Sequence, residues 1–178
     1  AWPLGYAGLG DAYVVMPTHL SISPSEATPK ARAAAAKALE MDESLAEAHA
    51  TMGLITTEYD WNWSTAEREF QRALALSPNY ATGHFWYARH LMFTGRHDEA
   101  IKEITKAQEL DPLSLIISLN VGMVLYYAGD FEQAETWLRR TLEIGPDFAH
   151  AHSFLAKTLF MQSRFAEATS EAREAVRL

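Results

Sequence analysis

Apolar positions recur along the chain at helical spacing, and the order of their sizes repeats at a fixed interval. Alanines stand at positions 66, 100, 134 and 168, each 34 residues after the one before. Further packing residues follow each alanine by four and by seven positions: Phe70, Ile104, Leu138 and Ala172, then Ala73, Ala107, Thr141 and Ala175. Because i, i+4 and i+7 share one helical face, the pattern predicts a helix that places a small residue at a close crossing.

Another helix is predicted upstream of each alanine. Its packing face consists of residues at i, i+3, i+4 and i+7 in three successive units, which begin at His84, Ser118 and His152. Gly95 and Gly129 lie between the two helices, where a helix end favours the left-handed backbone that glycine adopts easily. Asp130 and Gln133 fit a capping box at the start of the following helix. The sequence therefore predicts helix-turn-helix hairpins.

The repeated 34-residue unit resembles the tetratricopeptide repeat, and YAGLGDAY at residues 6–13 matches the first-helix pattern of that family. The resemblance implies an all-α fold, a right-handed superhelical α-solenoid of about five hairpins. We place the hairpins at residues 4–44, 46–79, 81–113, 115–147 and 149–178, in a single solenoid spanning 1–178. The resemblance also implies a concave groove, lined by the first helices, that binds a peptide or helix of a partner protein and needs no cofactor.

The first hairpin is longer than the others, and we predict an inserted loop at residues 16–28. Ser23 and Glu26 fit the ends of a short capped turn. Thr28 followed by Pro29 fits the N-cap and first position of the second helix.

The stretch YDWNW at residues 59–63 falls in the turn of the second hairpin. Trp63 stands three residues before Ala66, as Phe131 stands before Ala134, so it is predicted to begin the second helix. Trp61 takes the place that glycine holds in the next two turns, and one additional residue lengthens this turn. Trp61 is interpreted as a packing residue or, alternatively, as an exposed contact.

Composition narrows the possible partners. A net charge of −8 and 15 scattered Lys and Arg residues argue against binding to nucleic acid or to an anionic membrane. The chain has no cysteine, so thiol catalysis and thiolate metal sites are excluded. No apolar run is long enough for a membrane span, and no signal peptide is evident, so we expect a cytoplasmic location. The absence of an initiator Met indicates a piece of a longer protein.

The groove residues are predicted as the first-helix positions next to the packing face, together with two flanking aromatics. Met and aromatic side chains suit adaptable apolar contact, and two cations fit a carboxylate. The predicted set is Leu54, Phe85, Arg89, Met92, Phe93, Leu119, Met123, Tyr126, Tyr127, Lys157 and Phe160. The alternative is that part of this stripe, above all Phe85, Leu119 and Met123, packs in the core.

Catalytic and metal sites are not predicted. The histidines at 150 and 152 in HAH point in nearly opposite directions on a helix, which suits no metal site. His49, His84 and His152 recur at one place in the repeat, which indicates roles in helix packing. No phosphate-binding loop or nucleophile elbow is present. We therefore expect a protein that is not an enzyme.

The wider context is predicted from the same resemblance. Segments such as KARAAAAKALEMDESLAEAHATMG and YDWNW are similar to tetratricopeptide regions of bacterial multidomain regulators, which implies a module of a larger regulatory protein. The alternative function is self-association by stacking of solenoid ends, because Phe165 and Val176 lie on the outer face of a last hairpin that has no polar cap.

Overall fold

Helices form wherever the apolar residues recur at helical spacing. The computed structural model describes residues 2–19 and 22–178, and these residues contain ten helices and no strand. The predicted all-α fold is therefore confirmed. In chain order the helices are α1 (Pro3–His19), α2 (Pro24–Met41), α3 (Ala46–Glu58), α4 (Trp63–Leu76), α5 (Ala81–Phe93), α6 (His97–Leu110), α7 (Leu115–Ala128), α8 (Phe131–Ile144), α9 (Ala149–Met161) and α10 (Phe165–Arg177).

The helices belong to two compact units, residues 1–90 and 91–178, and the division falls inside α5. In the first unit, α1 packs on α2 and α3, and α3 packs on α4. In the second unit, α7 packs on α6, α8 and α9, α8 packs on α9, and α9 packs on α10. The extension of one solenoid over residues 1–178 stays a prediction.

The repeated small and large residues form the crossings between helices, as the sequence predicts. Ala66, Ala134 and their larger neighbours Phe70 and Leu138 are fully buried. A methyl group added at Gly122 would lie 2.6 Å from Cγ of Leu138, well inside contact distance. The α7 backbone therefore approaches α8 so closely that only glycine fits at this point.

The core of the second unit lies between α7, α8, α9 and α10. Leu119, Leu138, Leu155 and Leu159 form its buried centre together with Ala151 and Ala168. Partly buried side chains pack around this centre: Met123, Leu142, Phe148 and Phe154. The core thus draws on both helices of two successive hairpins, as expected when neighbouring repeats bury each other's apolar faces.

The start of α2 differs from the sequence prediction. The prediction of a loop at residues 16–28 is wrong at both ends, because α1 continues to His19 and α2 begins at Pro24; residues 20 and 21 lie outside the described residues. Thr28 and Pro29 are inside α2 and do not begin it. The carbonyl of Ser23 accepts the backbone N–H groups of Glu26 and Ala27 at 3.0 Å. Pro24 suits the first helical position, and burial of Ala27 stabilises the added turn.

The turns between paired helices share one backbone feature. Gly95 and Gly129 have φ of 76° and 84°, and Trp61 and Ser163 adopt the same left-handed region with φ of 55° and 63°. These four residues are spaced by 34. Asp130 caps α8 by accepting the backbone N–H of Gln133 at 3.1 Å. The predicted glycine turns and the Asp130 N-cap are confirmed. The capping box is incomplete, because the Gln133 side chain donates to the Asp130 carboxylate and the backbone N–H of Asp130 donates to the carbonyl of Leu125.

The tryptophans of YDWNW have separate positions. Trp63 is the first residue of α4, in the register that His97, Phe131 and Phe165 hold in their helices, as predicted. Trp61 has 72% of its surface exposed, and its indole N–H donates to the carbonyl of Glu58 at 3.1 Å. The alternative of an exposed residue is therefore correct for Trp61.

We expect Trp61→Gly to raise the free energy of unfolding by about 0.5–1 kcal/mol. A left-handed backbone costs a residue with a side chain about 1–2 kcal/mol, while the exposed indole hydrogen bond contributes less. Urea denaturation followed by circular dichroism measures the change. Trp63→Gly, at a helical position, is the control and is expected to lower stability. A loss of stability in Trp61→Gly would mean that packing of the ring holds this turn.

Candidate partner-binding surface

Four of the predicted groove residues are buried. Leu54, Phe85, Met92 and Leu119 expose 6% or less of their surface. Leu119 belongs to the core centre of the second unit, and the partly buried Met123 packs against that centre. Core packing, the alternative stated for part of the stripe, therefore describes Phe85 and Leu119, and Met123 is partly buried. The four buried side chains expose little surface to a partner.

Arg89 is held by an internal ion pair in the first unit. Its Nη2 atom lies 2.5 Å from Oε1 of Glu58, and both side chains are less than one quarter exposed. The guanidinium carbon lies 5.9 Å from the ring centroid of Phe85. The charge of Arg89 is therefore balanced within the protein before a partner carboxylate arrives.

Exposed members of the predicted set lie in the second unit. Phe93, Tyr127 and Phe160 are 51%, 49% and 60% exposed, and Lys157 is exposed near them in sequence. The Lys157 ammonium lies 4.2 Å from the ring centroid of Phe154, a cation–π distance. Lys157 forms no ion pair within the part of the chain that the structure describes. This lysine is therefore available to an anionic group.

Aromatic rings form two successive clusters on this unit. The half-buried Tyr126 contacts Tyr127, Phe131 and Phe154, with ring centroids 5.3, 5.6 and 6.2 Å away. One repeat later, Phe160 and Phe165 are 5.3 Å apart, in the places equivalent to Tyr126 and Phe131. A cleft of about 400 Å³ is lined by Tyr126, Phe160 and Phe165 among others.

Sequence reasoning missed Met161. It is 50% exposed and follows Tyr127 by 34 residues, just as Tyr127 follows Phe93. We call Phe93, Tyr127 and Met161 the half-exposed row. These residues lie at or next to the C-terminal ends of α5, α7 and α9. The 34-residue spacing was the signal that would have identified the third member.

The recurring histidines join each first helix to its neighbours. His49 Nδ1 lies 2.7 Å from a carboxylate oxygen of Glu69, and its Nε2 lies 3.0 Å from the carbonyl of Glu43. His152 contacts Glu171 at 2.6 Å and the carbonyl of Pro146 at 2.9 Å. Only the protonated ring donates from both nitrogens. The predicted packing role is confirmed for these two residues.

The pKa of His152 is set by opposing effects with a net rise. Burial lowers the pKa of His152, whereas hydrogen bonds to Glu171 and to the Pro146 carbonyl and the charges of Glu171 and Glu174 raise it. The pKa of His49 is also raised, chiefly by its hydrogen bond to Glu69. Folding therefore favours the protonated form of both histidines more than the unfolded chain does.

We expect the free energy of unfolding to fall as pH rises from 6 to 8, and His152→Gln to reduce that fall. When the pKa of a histidine is higher in the folded state, the histidine stabilises the fold fully below its unfolded-state pKa of about 6.5. This stabilisation is lost as the pH rises through the folded-state pKa. The variant should lose about 0.5–1.5 kcal/mol at pH 6 and less at pH 8. Urea denaturation at both pH values measures this. His150→Gln is the control, and an equal pH slope in both variants would contradict the assignment.

Asp11 of α1 has a further pH-sensitive contact in the first unit. Thr51 of α3 donates a hydrogen bond to this carboxyl group. Burial is the largest cause of the rise in the pKa of Asp11 to about 6, with a smaller contribution from the charge of Glu47. Its ionisation between about pH 4 and 6 therefore weakens folding as pH rises, with the same sign as the histidines.

Convergent metal ligands are not found among the described residues: no group of three or more His, Asp or Glu side chains there is placed to hold a metal ion. His150 instead lies against the ring of Phe148, with centroids 6.0 Å apart. A membrane-spanning helix is likewise not found in the described ranges, whose helices are too short or too polar to span a bilayer.

Two sequence profiles described as tetratricopeptide repeat match residues 62–121 and 119–178. Together they cover the turns at Gly95, Gly129 and Ser163 and the close Gly122–Leu138 crossing described above. The chain belongs to the tetratricopeptide-repeat family. Proteins of this family usually mediate protein–protein interaction, which agrees with the exposed apolar side chains of the second unit.

Individual relatives agree with this assignment. The transcriptional regulator HilA of Salmonella typhimurium is 27% identical over 129 residues, which are 72% of this chain and 23% of HilA. The chain thus spans about a quarter of the curated relative's length. The type IV pilus biogenesis factor PilW superposes with a TM-score of 0.82 and 23% identity, covering 99% of this chain and 78% of PilW. A tetratricopeptide protein of Thermus thermophilus, TTC0263, superposes with a TM-score of 0.79 and 18% identity. The superposition covers 99% of this chain and 91% of TTC0263. These structures establish the fold alone.

Proposed function

We propose that the chain is a non-catalytic interaction module whose first helices hold a peptide or helix of a partner protein. The half-exposed row carries the proposal. Phe93, Tyr127 and Met161 each leave about half of a large apolar side chain in water. Repetition of such a residue at one place in three successive repeats gives a partner regularly spaced contacts.

The surface around Tyr127 suits an adaptable apolar ligand. Tyr127 stands edge-on to Tyr126, with ring planes at 85°, a favourable contact that restrains the exposed ring. Met161 is flexible and polarisable, which suits contact with different side chains. Rigid aromatic anchors beside an adaptable residue are typical of binding hot spots.

The test is a selection of disordered peptides from a displayed random library with the purified chain. We expect enriched peptides to bind with at least about tenfold lower affinity when Phe93→Ser and Tyr127→Ser are combined, because hot-spot losses exceed about 1.4 kcal/mol. Isothermal titration calorimetry measures the affinities. Leu113→Ser removes a 79% exposed leucine outside the row and is the matched control. The proposal fails if no peptide enriches, or if both variants bind equally well.

Self-association is the second candidate function. Trp2 and Leu9 at the start of the first unit are 70% and 43% exposed, and Val176 near the end of the second is 88% exposed. Such residues favour head-to-tail stacking between molecules. Sedimentation velocity should then show a coefficient that rises with concentration, and Trp2→Ser with Leu9→Ser should abolish the rise. A sedimentation coefficient independent of concentration would exclude stacking.

We also infer that the chain is the repeat region of a larger bacterial regulatory protein located in the cytoplasm. The similarity to part of the transcriptional regulator HilA supports this context. Sequencing the coding region on both sides of this segment tests it. An adjoining DNA-binding or signalling domain is expected, and an uninterrupted open reading frame without one would overturn the inference.

A further inference from the structure

The half-exposed row is open at interior repeats of the second unit. Phe93 and Tyr127 stay 51% and 49% exposed although a complete hairpin follows each of them. A following repeat therefore does not cover this position. The exposure of these two side chains is a property of the repeat, and it does not depend on the last hairpin.

Two clefts of about 380 and 590 Å³ lie where the turn of one hairpin meets the end of the first helix of the next hairpin. The smaller cleft is lined by residues 95–99 and Ala128. The larger cleft is lined by residues 128–132, Met161 and Gln162. Residues 95–98 and 128 are 34 positions before residues 129–132 and 162, so the same cleft occurs in two successive repeats.

Each cleft contains one exposed carboxylate that has no ion pair. Asp98 and Glu132 are equivalent residues, 34 positions apart, in the first turns of α6 and α8. Neither forms an ion pair within the ranges that the structure describes. Arg96, the arginine that lines the smaller cleft, is engaged elsewhere: its Nε and Nη2 atoms lie 2.7 and 2.6 Å from the carboxylate oxygens of Glu99.

Helix stability does not account for these two carboxylates. An acid at the start of a helix interacts favourably with the helix dipole, but each helix already has another one. Glu99 lies in the first turn of α6, and Asp130 caps α8 by accepting the backbone N–H of Gln133. In α10 the equivalent place is taken by Ala166, and that helix forms as well. Asp98 and Glu132 are therefore not needed for the helices to begin.

The carboxylates lie beside members of the half-exposed row. Met161 lines the same cleft as Glu132. By the 34-residue repeat, Tyr127 has the corresponding place beside the cleft of Asp98, which its neighbour Ala128 lines. The surface thus offers a carboxylate and a large apolar side chain together, twice in succession. A ligand that matches it carries cations next to apolar side chains.

We propose that the partner segment held by the half-exposed row is cationic, with Lys or Arg side chains next to its apolar side chains. The cations face Asp98 and Glu132, and the apolar side chains pack on Tyr127 and Met161. This inference rests on the proposed function, because it names the chemistry of the partner at the same row. The net charge of −8 adds long-range attraction for such a segment, whereas it makes two copies of this chain repel each other.

The probes are two extended synthetic peptides of about 12 residues, with leucine at every third position. An extended backbone advances about 3.3 Å per residue, so three residues span about the 8–10 Å between packed helices. The peptides differ only in having lysine or glutamate after each leucine. Fluorescence anisotropy with the full chain measures their affinities. We expect the lysine peptide to bind at least about tenfold more tightly, with a preference that weakens as salt increases.

Charge reversal at the clefts gives the decisive comparison. Asp98→Lys combined with Glu132→Lys should remove the advantage of the lysine peptide. Asp111→Lys combined with Glu143→Lys makes the same change in net charge at exposed sites near the C-terminal ends of the same two helices, and it should leave the preference intact. Circular dichroism verifies that each double variant folds. A preference that both double variants change alike overturns the inference, because net charge alone would then explain it.

The inference and the proposed function fail on different results. Equal binding of the two peptides, with both weakened by Phe93→Ser combined with Tyr127→Ser, keeps the row as a peptide site but overturns the cationic partner. If that row variant weakens neither peptide, the row does not hold peptides and both proposals fail. Binding of neither peptide also overturns the inference, and the displayed library then decides the proposed function.

Discussion

Phe70→Ala is expected to lower the free energy of unfolding by about 3–5 kcal/mol, the cost of removing a fully buried aromatic ring. The ring centroid of Phe70 lies 5.6 Å from that of Tyr87 and 5.7 Å from that of His90. It also fills the space left by Gly53, where an added methyl group would lie 2.9 Å from the ring. Loss of the ring therefore leaves a cavity between α3, α4 and α5.

The damage should be greatest near the substitution. Repeat proteins are stabilised mainly by contacts between neighbouring repeats, so a defect in one hairpin loosens that hairpin and those next to it. Hydrogen exchange should show faster exchange in α3 and α4, while urea denaturation reports the overall loss. Phe165→Ala, at a 57% exposed position, is the control and should cost no more than about 0.5 kcal/mol. Similar losses in the two variants would contradict the role assigned to Phe70.

The 34-residue periodicity predicted most of the helices because the residues that repeat at this interval are the ones that pack between helices. Ala134 and Leu138 are fully buried, as their places in the repeat require. The start of α2 was missed for a local reason. Pro24 and Pro29 both suit the first turn of a helix, and the burial of Ala27, which lies between them, favours the start at Pro24.

The candidate surface was harder to predict because the first helices are buried on more than one side. Positions next to the packing face were expected to line a groove, yet in α7 eight residues between Ile117 and Leu125 are buried. A helix surrounded in this way has little polar face to mark its exposed side. Exposure returns only towards the helix end, at Tyr127. Leu119 is buried and Tyr127 is exposed because of the helices that pack around α7. The sequence of α7 alone does not show where those neighbouring helices lie.

Ala134→Leu should lower the free energy of unfolding by about 1–3 kcal/mol, because the larger side chain must enter a closely packed crossing. Ala134 is fully buried on α8. A methyl group added at Gly122 of α7 would lie 3.5 Å from the Ala134 carbonyl oxygen, which shows how near the two backbones run. Leucine is also a good helix former, so the loss cannot come from helix propensity.

Thermal denaturation and urea denaturation measure this loss, and a decrease of several degrees in Tm is expected, at about 2–4 °C per kcal/mol for a chain of this size. Ala166→Leu makes the same chemical change on an exposed face of α10 and should leave Tm nearly unchanged. An Ala134→Leu variant as stable as Ala166→Leu would show that the crossing has room for a larger side chain. The 34-residue alanine spacing would then mark helix register without setting the distance between α7 and α8.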